Sequence, residues 1–173
     1  MFGTTYYPEH WDAETRKEDA ARMAAAGVTV VRMAEFAGDL MERRPGEYDF
    51  SFFDAVIEEL GQAGIDTIMC TPTATPPRWF THAYPDALRI PESGRREQHG
   101  SRQHCCYASP DMRRYSRDIT RAMADHYRDN PSVIGWQTDN EMGCGTTACH
   151  CANCEAAFRE FLRDKFHGDI DAL

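Results

Sequence analysis

The chain predicts an α/β fold with a parallel sheet of about four βα units. Two observations carry this. Short β-favouring runs alternate with longer helical patterns in the order βαβαβ(loop)αβ(loop)α, and such alternation implies parallel pairing through crossover helices. Each run also ends, towards its carboxyl side, in polar or aromatic residues: Glu9-His10-Trp11, Glu35, residues 71–75 and Asn140-Glu141. In α/β barrels and open sheets that edge is where active sites lie. A complete eight-stranded barrel needs about 250 residues, and the chain has 173. The pattern therefore fits either a small open sheet or the first half of a barrel.

Residues 2–7 read as the first strand, rich in aromatic and β-branched residues, and Pro8 ends it. Asp12 is an N-cap for an Ala-rich, charged helix over 13–26, closed by Gly27. Residues 28–33 form the second strand. Arg44-Pro-Gly-Glu47 is turn chemistry in a loop leading to a helix over about 51–63. The third strand spans 65–70. Residues 71–77 are too proline-rich for a regular element. A short helix near 78–82 and a long irregular stretch over 85–109 follow, and loops of that length are functional or disordered. Ser109-Pro110 opens a helix running to about Asn130, with Ser as cap and Pro in the first turn. The fourth strand starts at Val133, and a last helix runs from about Cys154 to His167.

Composition narrows the function. Hydrophobic residues make up 42% and charged residues 27%, as in an ordinary globular protein. The net charge of −9 argues against nucleic acid or an anionic membrane surface as partner, since both need a basic footprint. No run approaches the length of a membrane span, and the N-terminus lacks a basic region followed by an apolar core. A cytoplasmic location is the expectation.

Residues 133–141 are the most informative stretch. An apolar run gives way to Asp139-Asn140-Glu141, as where a buried parallel strand leaves its sheet. Just beyond lies Cys149-His-Cys-Ala-Asn-Cys154. Seven cysteines, four of them within 144–154, favour metal over disulfides in a chain without a secretion signal. The Cys-X-Cys-X-X-Cys spacing supplies three thiolates, and a structural tetrahedral Zn²⁺ takes four. Cys70 ends an apolar run and reads as a core residue. Trp136, within a strand, reads as core. Trp11, Tyr6, Tyr7 and Trp79 are candidates for stacking on a ligand. Arg32 and Glu35 either line the site or pair with neighbours.

Tyr6-Tyr-Pro-Glu-His-Trp11, Arg32-Met-Ala-Glu-Phe36, Thr71-Pro-Thr-Ala-Thr-Pro-Pro77, His104-Cys-Cys106 with Ser109-Pro110, Gly135-Trp-Gln-Thr-Asp-Asn-Glu141 and Cys149-His-Cys-Ala-Asn-Cys154 occur in the order in which similar motifs occur in family 42 glycoside hydrolases. The set closely resembles that family from Tyr6 onward. The resemblance implies the N-terminal half of a (β/α)₈ catalytic barrel, extending over residues 1–173 and stopping after strand 4 and its helix. It implies retaining hydrolysis of terminal β-D-galactosides with Glu141 as general acid/base. Asn140 would contact the sugar 2-hydroxyl and Arg102 a hydroxyl deeper in the pocket. Cys106 would join Cys149, Cys151 and Cys154 around a structural Zn²⁺, with Cys105 turned away, Cys144 a nearby non-ligand and His150 a bystander. The family's nucleophile lies at the end of strand 7, which this chain does not reach, so the chain alone is expected to be inactive. Members are often homotrimers. A reading from another class is a non-catalytic, zinc-stabilised half-barrel that works by associating with another chain.

Overall fold

A computed structural model describes residues 1–100, 102–143, 148–169 and 171–172. In chain order the elements are β1 (Gly3–Thr5), α1 (Ala13–Ala25), β2 (Val30–Met33), α2 (Gly38–Met41), β3 (Glu42–Arg44), β4 (Glu47–Tyr48), α3 (Ser51–Gln62), β5 (Asp66–Cys70), α4 (Arg78–Ala83), α5 (Pro110–Tyr127), β6 (Val133–Gln137) and α6 (Ala152–Lys165). Short 3₁₀ turns occupy Pro8–His10, Pro72–Ala74 and Pro85–Ala87.

The main sheet has the order β1-β2-β5-β6, and every pair is parallel. Its four strands therefore lie side by side in the order in which the chain makes them. A doubly wound sheet would reverse direction at a switch point. Here there is no reversal, and helices α1, α3 and α5 share a single core with one face of the sheet. That is the arrangement of consecutive units of a βα barrel.

The helices form where their local chemistry dictates. Asp12 accepts the Thr15 N–H at 2.8 Å, and Gly27 leaves α1 with φ +83°. Ser109 caps α5 by accepting the Met112 N–H, with Pro110 in the first turn. Met112, Tyr115, Ile119, Met123 and Tyr127 recur at helical spacing and form its buried face. Phe53, Val56, Ile57 and Leu60 do the same on α3. They pack on Val31, Met33 and Met69, which point from the sheet towards the helices. Alternation sends Arg32, Ile68 and Cys70 to the other face.

The sheet has one irregularity, and it matters. Thr67 pairs with Val133, but Ile68 pairs with Gly135, so Ile134 is an extra residue in β6. A bulge of this kind reverses which residues face which side. Val133 packs towards the helices, whereas after the bulge Gly135 and Gln137 lie opposite Ile68 and Cys70 on the other face.

Four expectations need correction. Residues 36–48 hold a helical turn and the antiparallel pair β3–β4 rather than only a loop. Gly38 begins that turn, and a Cβ there would lie 2.3 Å from the Thr75 carbonyl oxygen, so the backbones approach too closely for a side chain. The proline-rich segment contains a 3₁₀ turn, because Pro at its first position tolerates the fixed φ and the missing N–H. Trp136 is not core: it is 41% exposed. It lies on an edge strand, with Tyr127 of α5 on one side (ring centroids 6.4 Å), while α6 buries none of its described residues. Finally, the last helix starts at Ala152, two residues before the expected Cys154.

Candidate active site

The carboxyl ends of β2, β5 and β6 converge on a polar cluster. The bulge places Gln137 on the same face as Arg32, and Arg32 Nη1 donates to Gln137 Oε1 at 2.8 Å. Arg32 Nη2 pairs with Glu35 Oε1 at 2.8 Å, and the Glu35 side chain is fully buried. The Tyr7 hydroxyl donates to the same Glu35 oxygen at 3.0 Å. Burial, then this hydrogen bond, raises the Tyr7 hydroxyl above its ordinary value. Arg32 and Glu35 thus pair with one another, and the pair supports the rim: Asn140 Oδ1 accepts from Arg32 at 3.5 Å and from Gln137 Nε2 at 3.3 Å.

Asp139 anchors the turn after β6. Its carboxylate accepts from the Thr73 hydroxyl at 2.9 Å, the Tyr107 hydroxyl at 3.4 Å and the Asn140 N–H at 2.6 Å. Its own N–H donates to Thr71 Oγ1 at 2.8 Å. Burial first, and the Asp139 charge second, push the Tyr107 hydroxyl up to about 12. Asp139 and Glu141 lie in the left-handed region, at φ 61° and 44°. Each such conformation costs a non-glycine residue about 1 kcal/mol, so surrounding contacts must hold the turn.

Glu141 reaches outward from it. Its Oε2 lies 2.9 Å from Arg102 Nη1, and both side chains are about half exposed, at 51% and 47%. The Arg102 guanidinium also sits 5.9 Å from the Phe36 ring centroid. Phe36 stacks on Tyr7, and Tyr7 on His10. The structure therefore gathers Arg102, Asn140 and Glu141 on one rim, beside an aromatic row. A cavity of about 290 Å³ adjoins this rim, lined by Phe36, Asp39, His99 and Arg102 among others. Trp11 follows the Pro8–His10 turn, is 52% exposed, and accepts a hydrogen bond from Arg16 through its carbonyl.

The thiol cluster lies beside the same loops. The Sγ atoms of Cys106, Cys149, Cys151 and Cys154 all lie within 4.8 Å of one another. Cys106 is 3.3 Å from Cys154 and 3.4 Å from Cys151. Four sulfurs around an ion at Zn–S distances of 2.3 Å would be separated by about 3.8 Å, so the donor set fits a tetrahedral metal. Cys151 occupies the N-cap position of α6 without a side-chain capping hydrogen bond, and Cys154 lies in the first turn. Burial raises the Cys151 thiol, but the Cys154 backbone N–H and the Cys106 and Cys149 thiols outweigh it, and the net direction is downward. Burial pushes the Cys154 thiol up to about 11. Cys105 is buried in the core instead, where burial takes its thiol to about 12. Cys70 is fully buried too, on the strand face that carries Arg32. His150 donates its backbone N–H to Ile90 at 2.7 Å, which brings this loop onto the 85–106 segment. Cys144 falls outside the described residues.

One participant had no signal in the sequence. Gln103, 5% exposed, donates its side-chain amide to the carbonyl oxygens of both Asn140 and Glu141. A glutamine in an irregular loop carries no motif, and only the folded loop shows what it reaches.

Residues 5–173 match the glycoside hydrolase family 42 profile, described as beta-galactosidase. A beta-galactosidase of a Thermus species is 43% identical over the whole chain, which covers 27% of that protein. The Halorubrum lacusprofundi beta-galactosidase structure is 43% identical with a TM-score of 0.93, over 99% of this chain and 26% of that one. For the Marinomonas ef1 enzyme the figures are 39% identity and TM-score 0.92, over 96% and 26%. The chain thus spans about a quarter of the length of these relatives, and corresponds to their N-terminal part. Matching motifs, sheet order and superposition agree: the chain belongs to glycoside hydrolase family 42, and its fold is part of that family's TIM barrel.

Proposed function

We propose that this chain carries the acid/base half of a retaining β-galactosidase site. The observation that carries the reading is Asn140-Glu141 at the carboxyl end of β6, with Glu141 2.9 Å from Arg102 and Asn140 tied to Arg32 and Gln137. In the first step the glycosidic C–O bond breaks, its oxygen takes the proton of Glu141, and a carboxylate nucleophile bonds to the anomeric carbon. In the second, water attacks that carbon, gives its proton to Glu141 and frees the nucleophile. Asn140 and Arg102 supply hydrogen-bond donors to the sugar hydroxyls.

The nucleophile has to sit about 5–5.5 Å from the acid. Glu35 is already committed to Arg32 and Tyr7. The family resemblance, which puts the nucleophile at the end of a later barrel strand, supports a nucleophile outside residues 1–173, and these residues alone are then inactive. Glu141→Ala, made in the protein as its gene encodes it, tests the role. Galactosides with poor leaving groups should lose roughly 10²–10⁴-fold in rate, and azide should restore turnover by forming β-galactosyl azide. Full activity of the variant would remove Glu141 from the mechanism.

The same reading puts a structural Zn²⁺ on Cys106, Cys149, Cys151 and Cys154. Four thiolates close its coordination, so it supplies folding energy and no reaction step. Bound there, it would join the loop that carries Arg102 to the start of α6.

A further inference from the structure

We propose that Gln103 is a positioning residue for Glu141, an inference that rests on the acid/base assignment above. Its amide nitrogen donates to the carbonyl oxygens of Asn140 and of Glu141, the latter at 2.5 Å. One planar amide thus holds two successive carbonyls. It fixes the peptide planes on both sides of the Glu141 Cα, and those planes set the direction of the Glu141 side chain.

Gln103 is itself held. Its N–H donates to the Ala74 carbonyl at 2.7 Å, its φ is 57°, and it is 5% exposed. Five described non-glycine residues have positive φ; two of them, Gln103 and Glu141, make this contact, and a third, Asp139, lies two residues before Glu141 in the same turn. Neither Gln nor Glu favours that conformation as Asn and Asp do, so the turn keeps its shape because its carbonyls have buried donors to meet. The neighbouring residue, Arg102, grips the carboxylate of the same glutamate. Residues 102 and 103 therefore hold Glu141 at both ends, one at the charge and one at the backbone. Cys106, three residues on, ties this segment into the thiol cluster.

A residue that only stabilised the loop would affect all substrates alike. A positioning residue for the proton donor affects those that need the proton. The test compares phenyl and 2,4-dinitrophenyl β-galactosides with Gln103→Met and Gln103→Asn, made in the protein as its gene encodes it, with Glu141→Ala in parallel. Met removes both donors at similar length; Asn keeps the amide and withdraws it by one methylene, which protects the test should Met prevent folding. Since a displacement of about 1 Å costs on the order of 10²-fold, kcat/KM on the phenyl galactoside should fall by about that factor. For the dinitrophenyl substrate, whose leaving group departs without a proton, kcat/KM should change little, because it reports the first step and not the later attack of water, in which Glu141 takes a proton whatever the substrate. Equal losses on both substrates, or no loss on either, beside a selective Glu141→Ala, would overturn the role of Gln103. A non-selective Glu141→Ala would overturn the acid/base assignment itself, and this inference with it.

Discussion

Ser109 shows how much one side chain settles at a helix end. It is buried, accepts the Met112 N–H and leads Pro110 into α5. Ser109→Ala should cost about 1 kcal/mol, measured as a lower denaturation midpoint with an unchanged denaturant slope. Cys151 is the other informative residue. It sits at the N-cap position of α6 and belongs to the thiol cluster, within 3.4 Å of Cys106. Cys151→Ser should lower bound zinc and melting temperature together. Metal analysis and calorimetry check this, and unchanged values would exclude the four-thiolate site. Cys149, Cys151, Cys154 and Glu141 are legible because spacing and strand-end position are written in the sequence, whereas Cys106 is implied only by the family resemblance. Gln103 is not legible, because its role exists only in where its amide reaches.

At the level of elements, the β3–β4 hairpin carries a buried acid. Glu42 is 3% exposed; its Oε1 accepts the Gly46 N–H at 2.8 Å, and its Oε2 is enclosed without a hydrogen-bond partner among the described residues. Burial raises its carboxyl above the ordinary glutamate value of about 4.5. The folded state therefore keeps this proton at a pH where the unfolded state has released it. Over that window stability falls as pH rises from about 4.5 towards the folded value, and the cost persists above it. Glu42→Gln should raise the melting temperature at neutral pH and flatten its dependence above pH 4.5, as thermal scans across pH would show. The sequence shows only a loop where the hairpin forms, because Arg44-Pro-Gly-Glu47 announces a turn without revealing that its flanks pair. By contrast α5 was plain, since a cap, a proline and a helical run of apolar residues all agree.

For the molecule as a whole, the sheet has two edges, β1 and β6. All three residues of β1 are exposed. The sheet face away from the helices carries Arg32 and Gln137 beside Ile68 and Cys70. The apolar exposure lies elsewhere, at Ile134 and Trp136 on β6 and at Phe158 and Phe161 on α6, each 41–60% exposed. Uncovered apolar groups beside an open strand edge invite association. Residues 1–173 expressed alone should therefore self-associate and show no galactosidase turnover. Trp136→Lys should reduce the association, as sedimentation velocity would show. A monomeric, active product would contradict both statements. Among the described residues no helix is long and apolar enough to cross a membrane.

The sequence by itself determined the alternation of strands and helices, the acid at the end of the fourth sheet strand and the thiol spacing, because each depends on local propensity or on neighbours along the chain. It left open whether four strands make an open sheet or part of a barrel. The strand order and the single helix-covered face decided that. Tertiary structure also decided the bulge at Ile134. Register is a property of pairing with β5, and one extra residue turned Gln137 towards Arg32 and Asn140 and left Trp136 at an uncovered edge.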